Sequence, residues 1–187
     1  MVLTYNGGSR DYTDRTFLEG RYGSPQAWVM LAWPGWDCEE WSILPDGSSF
    51  HEAIESAQRD NLPEDLYLYT ENTGKRGDIL WTMLSGPPVI SQRFADVISS
   101  IGATGVTLVH TPVHPKCGEP VAGFYIVLFD NNDDDDIRPF PPNRHVGAML
   151  DVSPRVMKAL REAGVKDFTR EDPAKTFADI EALPTED

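Results

Sequence analysis

The sequence predicts an α+β fold: a mixed, largely antiparallel sheet with a wide hairpin and two similar strand–cap–helix units, plus a short N-terminal helix. Three observations carry this. Two apolar runs, Val106 to His110 and Phe124 to Phe129, flank a segment from Pro112 to Pro120 whose prolines and Gly118 suit the loop of a wide hairpin. The phrase Val89-Ile90-Ser91-Gln92-Arg93-Phe94, closed by Gly102, returns as Asp151-Val152-Ser153-Pro154-Arg155-Val156, closed by Gly164. The serine-to-glycine distance is 11 in both (102 − 91 and 164 − 153). Finally, Ser49-Phe50-His51-Glu52 has the layout of a capping box, in which serine serves a free amide of the first helical turn and glutamate reaches back.

Taken in order, the chain to about Gly23 alternates polar and aromatic residues, with Asn6-Gly7-Gly8 as a turn, and specifies little local structure. Ala27 to Trp33 is a buried strand closed by Pro34-Gly35, and Trp36 to Ile43 either pairs with it or forms a loop. The capping box starts a helix from Phe50 to about Arg59, with Phe50, Ala53, Ile54 and Ala57 on its apolar face. Leu66 to Tyr69 is a strand before the Asn72-Thr73-Gly74 turn, and Arg76-Gly77-Asp78 is a further turn. After Ser91, the residues Phe94, Val97, Ile98 and Ile101 fall on one helical face, as Val156, Ala159, Leu160 and Ala163 do after Ser153. Pro154 suits the first helical position, and Gly102 and Gly164 suit the left-handed residue past a helix end. Val165 to Thr169 is a short strand and Pro173 to Ala182 a weak helix.

The 187 residues, 40% of them apolar, suffice for a single compact domain, 1–187. No apolar run is long enough to span a bilayer, the first residues lack the layout of a signal peptide, and Cys38 and Cys117 are too few for a disulfide scaffold, so a cytoplasmic protein is expected. A formal charge of −14 argues against gripping a nucleic acid backbone and favours a basic partner. The charge is uneven: residues 77 to 129 carry 3 acids and 2 bases, against 13 and 6 before them and 14 and 8 after. The middle is therefore core, and the acidic flanks are the surface a partner meets.

No constellation for catalysis stands out. Ser91 and Ser153 are better explained as helix caps than as nucleophiles, and there is no phosphate-binding glycine loop. His110, His114 and Cys117 offer imidazole and thiolate ligands within eight residues, the basis of an alternative reading as a small zinc-dependent hydrolase or metal-binding enzyme; a fourth ligand is missing and Pro112 and Pro115 intervene. Asp133, Asp134, Asp135 and Asp136 lack the glycine and distal glutamate of a calcium loop and are expected to form a solvated acidic loop. Neither a metal nor a cofactor is expected. For partner binding, the candidates are those four aspartates and the cluster Trp36, Asp37, Glu39, Glu40 and Trp41, where indoles supply contact area and the acids complement a basic target.

The repeated phrase resembles a family of bacterial immunity proteins found beside polymorphic toxins, the Imm11 or DUF1629 group. The likeness rests on Asp78-Ile79-Leu80 with Val89 to Phe94, a hairpin of Leu108 to Val113 and Gly123 to Phe129, and Val152 to Val156 with Ala159-Leu160 and Ala163-Gly164. It spans about residues 78 to 170, which makes 77–187 the family-like part and 1–76 a variable N-terminal part. Lys166-Asp167-Phe168 stands where the family pattern has a Thr-Gly-x-x-Phe turn. The resemblance implies a non-catalytic cytosolic protein that binds and neutralises a cognate protein toxin, with no membrane or nucleic acid partner and no catalytic residues to carry over.

Overall fold

Local sequence sets two helices, and distant carboxylates lock them in place. The computed structural model describes residues 2–5, 8–21, 28–32, 43–44, 46–55, 62–70, 73–82, 86–115, 117–130, 132–140, 149–171 and 173. Its strands are β1 (Val2–Tyr5), β2 (Gly8–Asp11), β3 (Thr16–Glu19), β4 (Trp28–Ala32), β5 (Tyr67–Thr70), β6 (Ile79–Thr82), β7 (Val89–Ser91), β8 (Val106–His110), β9 (Val113–His114), β10 (Phe124–Phe129), β11 (Ile137–Phe140), β12 (Met149–Val152) and β13 (Thr169–Glu171). Three helices join them: α1 (Phe50–Glu55), α2 (Gln92–Ser100) and α3 (Pro154–Glu162). The expected α+β class, with its largely antiparallel pairing, is the observed one.

A seven-stranded sheet runs β8-β10-β7-β6-β4-β5-β9, a four-stranded sheet runs β11-β12-β3-β13, and β1 pairs with β2. Among the described residues, β4–β6 and β5–β9 are the parallel pairs. The wide hairpin forms as expected, with Val106 opposite Phe129 and His110 opposite Tyr125. The terminal strands of the large sheet, β8 and β9, are separated in the chain by Thr111 and Pro112 alone. So short a link spans about 10 Å at most, and the β8–β10 pairing continues across it, because Val113 and Val121 exchange backbone hydrogen bonds while β5 pairs with the other edge of β9; the sheet therefore curls and closes at β9.

Strand alternation then sorts side chains onto two sides of that sheet. Leu80, Val89, Phe124, Ile126 and Leu128 line one side with Ala53 and Ile54 of α1 and with Leu68. Ile79, Ile90, Val127 and Phe129 line the other, facing α2, α3 and the four-stranded sheet through Phe94, Ile98, Val156, Leu160, Leu18, Leu150 and Val152. The buried helix positions are Phe94, Ala95 and Ile98 in α2 and Val156, Met157 and Leu160 in α3, so the core-facing stripe is rotated from the expected one and Val97 lies at its rim. Ala159 is half-buried.

The repeat is a structural one. Ser91 Oγ accepts from Phe94 N and Ser153 Oγ from Val156 N, as N-caps do, and Gly102 and Gly164 take left-handed φ values of 59° and 71°. The same hydroxyls donate to aspartates that precede each hairpin: Ser91 to Asp78 (2.9 Å) and Ser153 to Asp136 (2.8 Å). Arg93 Nε and Nη2 donate to Asp78, and both Arg155 Nε and Nη2 donate to Asp136. Each aspartate also receives amides from beyond the other unit's helix. Lys166 N and Asp167 N, after α3, donate to Asp78, whereas Thr104 N, after α2, donates to Asp136. The two units close each other reciprocally.

Some expectations change. Ile137–Phe140 is a strand that begins directly after the acidic run expected to be a solvated loop. Pro139 is tolerated because β11 is an edge strand. The last short strand begins at Thr169, since Val165 N is held by Leu160 O at the end of α3. Arg76-Gly77-Asp78 is more than a turn, because Asp78 is buried at 3% exposure in the clamp just described. Residues 56–61 and 174–187, on which the ends of two expected helices fall, lie outside the described residues.

Gly105 separates the two roles a glycine can have. Its φ is 95°, and a Cβ there would lie 2.2 Å from Ile137 O and 2.5 Å from Asp135 Cβ, whereas a Cβ on Gly102 would meet nothing within 4 Å. Gly102→Ala is expected to lower stability by about 1 kcal/mol, from backbone strain alone, and Gly105→Ala by about 3 kcal/mol or more. Urea unfolding of the two variants measures the difference.

Candidate functional site

The acidic run following β10 lies over the outer face of the four-stranded sheet. That face is made by alternate residues: Phe17 of β3, Arg138 and Phe140 of β11, and Met149 and Asp151 of β12. Phe17 and Phe140 stack with centroids 4.1 Å apart, and Tyr12 packs edge-on against both. Beside this aromatic cluster sits a fully buried carboxylate, Asp151, between two arginines. Arg15 Nε donates to Oδ1 at 2.6 Å, while Arg138 Nε and Nη2 donate to Oδ2 at 2.8 and 2.6 Å. The Arg138 guanidinium also lies 5.3 Å from the Tyr12 ring centre.

The remaining guanidinium N–H groups hold the acidic run by its backbone. Arg138 Nη1 donates to Asp133 O (2.7 Å), Arg15 Nη1 to Asp135 O (3.1 Å) and Arg15 Nη2 to Asp136 O (3.0 Å). Arg10 pairs with the exposed Asp133 carboxylate at 2.6 Å. The run is therefore divided, which corrects the expectation of a wholly solvated loop. Asp135 is buried at 9% exposure, its Oδ2 accepting from Asn132 N, and Asp136 is half-buried in its clamp. Four adjacent carboxylates cannot all face water once arginines from three other segments and the Ser153 hydroxyl draw the chain inward; Asp130, Asp133 and Asp134 remain exposed. Asp130 and Asp134 form no ion pair among the described residues.

Electrostatics follow the same division. Asp136 is held below the usual carboxylate range, chiefly by the hydrogen bond from Arg155 and then by Ser153 and the Thr104 backbone, against the opposing effect of partial burial. At Asp78 burial is the largest effect and pushes upward, but Arg93, the amides of Asp167 and Lys166, and Ser91 together outweigh it, so the net shift is also downward.

Trp36, Asp37, Glu39, Glu40 and Trp41 lie outside the described residues. Of the alternative metal set, His110 lies edge-on to Tyr125 at 5.4 Å, His114 is tilted against Tyr67 at 4.4 Å, and Cys117 is an exposed free thiol. Among the described residues no three His, Cys, Asp or Glu side chains form a group able to hold a metal ion. Nor is any helix among them long and apolar enough to cross a membrane. The residues that sequence reasoning missed are Arg15, Arg138 and Asp151, each isolated in sequence from its partners. No family model and no curated protein matches the chain.

Two expectations follow. Asp151→Ala leaves two guanidinium groups buried against each other and should cost about 3–5 kcal/mol in urea unfolding. For pH, Asp78 and Asp136 bind a proton less readily folded than unfolded, so their contribution is fully present above the ordinary carboxylate pKa and is lost as pH falls through the depressed folded values. Stability should thus drop as the pH is lowered below about 4. Asp78→Asn and Asp136→Asn should each start less stable and show a shallower acid-side decline; urea midpoints over this range provide the check.

Proposed function

We propose that this chain is an immunity protein, which binds and neutralises a cognate protein toxin through an acidic surface and performs no turnover of its own. The observation that carries this reading is the acidic run, whose backbone is fixed from beneath by Arg15 and Arg138 while Asp130, Asp133 and Asp134 face outward. A loop ordered before contact gives up little conformational entropy on binding, and fixed carboxylates present a defined field to a basic target. The formal charge of −14 extends that field over the whole molecule. The residues that carry the family resemblance, Asp78, Ser91, Arg93, Ser153 and Arg155, support the same reading indirectly: all are engaged in caps and clamps, which leaves recognition to the surface.

In this mechanism the exposed aspartates steer the encounter, and contacts made afterwards hold the complex. Co-expression with the product of a neighbouring toxin gene should protect cells from it, and failure to protect would refute the reading. Replacing Asp130 and Asp134 by lysine should slow association about tenfold at low salt and flatten its salt dependence, with a smaller effect on dissociation. Stopped-flow mixing at two ionic strengths measures both.

A further inference from the structure

The hydrogen-bond parity of β8 leaves the backbone groups on its edge away from β10 without partners among the described residues, between Thr104 O, which accepts from Ile137 N, and Pro112 O, which accepts from Leu68 N. Thr111 N donates to Phe124 O at 2.9 Å and Asp130 N to Gly105 O at 3.0 Å, and these two bonds bracket the β8–β10 ladder. Bonded pairs alternate in an antiparallel ladder, so Gly105, Thr107, Val109 and Thr111 turn their N–H and C=O toward β10. Val106, Leu108 and His110 turn theirs the opposite way. Those groups have no hydrogen-bond partner among the described residues.

Other edges of the two larger sheets carry the usual guards against strand addition. The strand β11 contains Arg138 and Pro139, β13 has three residues including Arg170 and Glu171, and β9 is paired on both edges, with β5 and with Val121. By contrast β8, Val-Thr-Leu-Val-His, has five residues with no proline, lysine or acid. Its Val106 and Leu108 are only half-buried, and with Val97, Ile101 and Ala103 they form a partly covered apolar rim of the core between the sheet and α2. At the Val106 end the edge meets the acidic run, because Gly105 packs on Asp135 and the amide of Asp130 bonds to it.

We propose that β8 receives an added strand from a partner protein, an extended segment with apolar residues at alternate positions and basic residues at the end beside Asp130 and Asp134. The backbone groups of Val106, Leu108 and His110 supply the pairing, the apolar rim takes alternate side chains, and the aspartates set which sequence is admitted. A second copy of this chain is disfavoured as occupant, since each brings a formal charge of −14 to the same edge. The inference deepens the reading as an immunity protein and relies on it for the partner's identity, but not for the docking mode.

Amide hydrogen exchange of the full chain, resolved by residue, tests it without a toxin. In the free protein the amides of Val106, Leu108 and His110 should exchange fast, and those of Thr107 and Val109 slowly. Adding the acetylated, amidated peptide Lys-Lys-Val-Thr-Val-Thr-Val-Lys-Lys should slow the fast three, whereas the same peptide with glutamate for lysine should not. His110→Pro removes an outward N–H that holds no bond among the described residues, and should weaken peptide binding about tenfold, while His110→Ala, which keeps the N–H, should not. Circular dichroism and the thermal midpoint establish that both variants fold; if His110→Pro does not, the wild-type exchange pattern decides alone. Uniformly slow exchange along β8, no protection by the lysine peptide, or protection that rises with protein concentration alone, as a second copy would give, overturns the proposal. If His110→Pro still protects cells from the toxin as well as wild type, edge pairing is not how the toxin is held and the immunity reading stands; if wild type itself does not protect, that reading fails and the peptide result is unaffected.

Discussion

Each of the two strand–cap–helix units is completed by an aspartate that neither unit can satisfy by itself. Asp78 takes a hydroxyl and a guanidinium from its own unit, Ser91 and Arg93, and two amides from the segment after the other unit's helix. Asp136 does the same with Ser153, Arg155 and Thr104. A buried carboxylate without such partners would be strongly destabilising, so the placement of α2, α3 and both preceding hairpins is tied to satisfying these two groups. The apolar core between the helices supplies most of the attraction, but apolar contacts alone tolerate sliding; the clamps fix the register.

How much of this was legible in sequence depends on how far the partners lie along the chain. Ser91 and Ser153 announce themselves because a cap acts on an amide three residues away and a glycine stop follows within one helix length. The carboxylates that complete the clamps stand 13 and 17 residues before their serines, and their remaining amide partners lie as far as 89 residues off, so no periodicity marks them. The unequal spacing also hides the aspartate from the repeat. Strand β3 was missed because Phe17 and Leu18 are both buried, one against the outer aromatic cluster and one in the main core, which removes the alternation that reveals a half-buried strand.

The acidic run shows the same limit from the opposite direction. By composition it reads as uniformly solvated, because four adjacent aspartates repel one another in an isolated peptide. The fold overrides this by delivering Arg10, Arg15 and Arg138 from elsewhere and by threading Asp136 into a clamp. The outward carboxylates were legible and the inward ones were not, since the difference is set entirely by residues far away in sequence. A buried Arg–Asp–Arg arrangement adds little net stability over apolar packing of the same volume; it does make the position of the loop above it unique.

The two units are not identical, and their difference has meaning. Two residues before each capping serine stands Val89 in one unit, facing the interior of the curled sheet, and Asp151 in the other, gripping two arginines. Neither unit completes its aspartate from its own residues, since each borrows the post-helix amides of the other. The fold thus joins two half-clamps within one polypeptide. Covalent linkage frees the halves from having to match, and that freedom lets one half keep an apolar interior while the other builds a charged face.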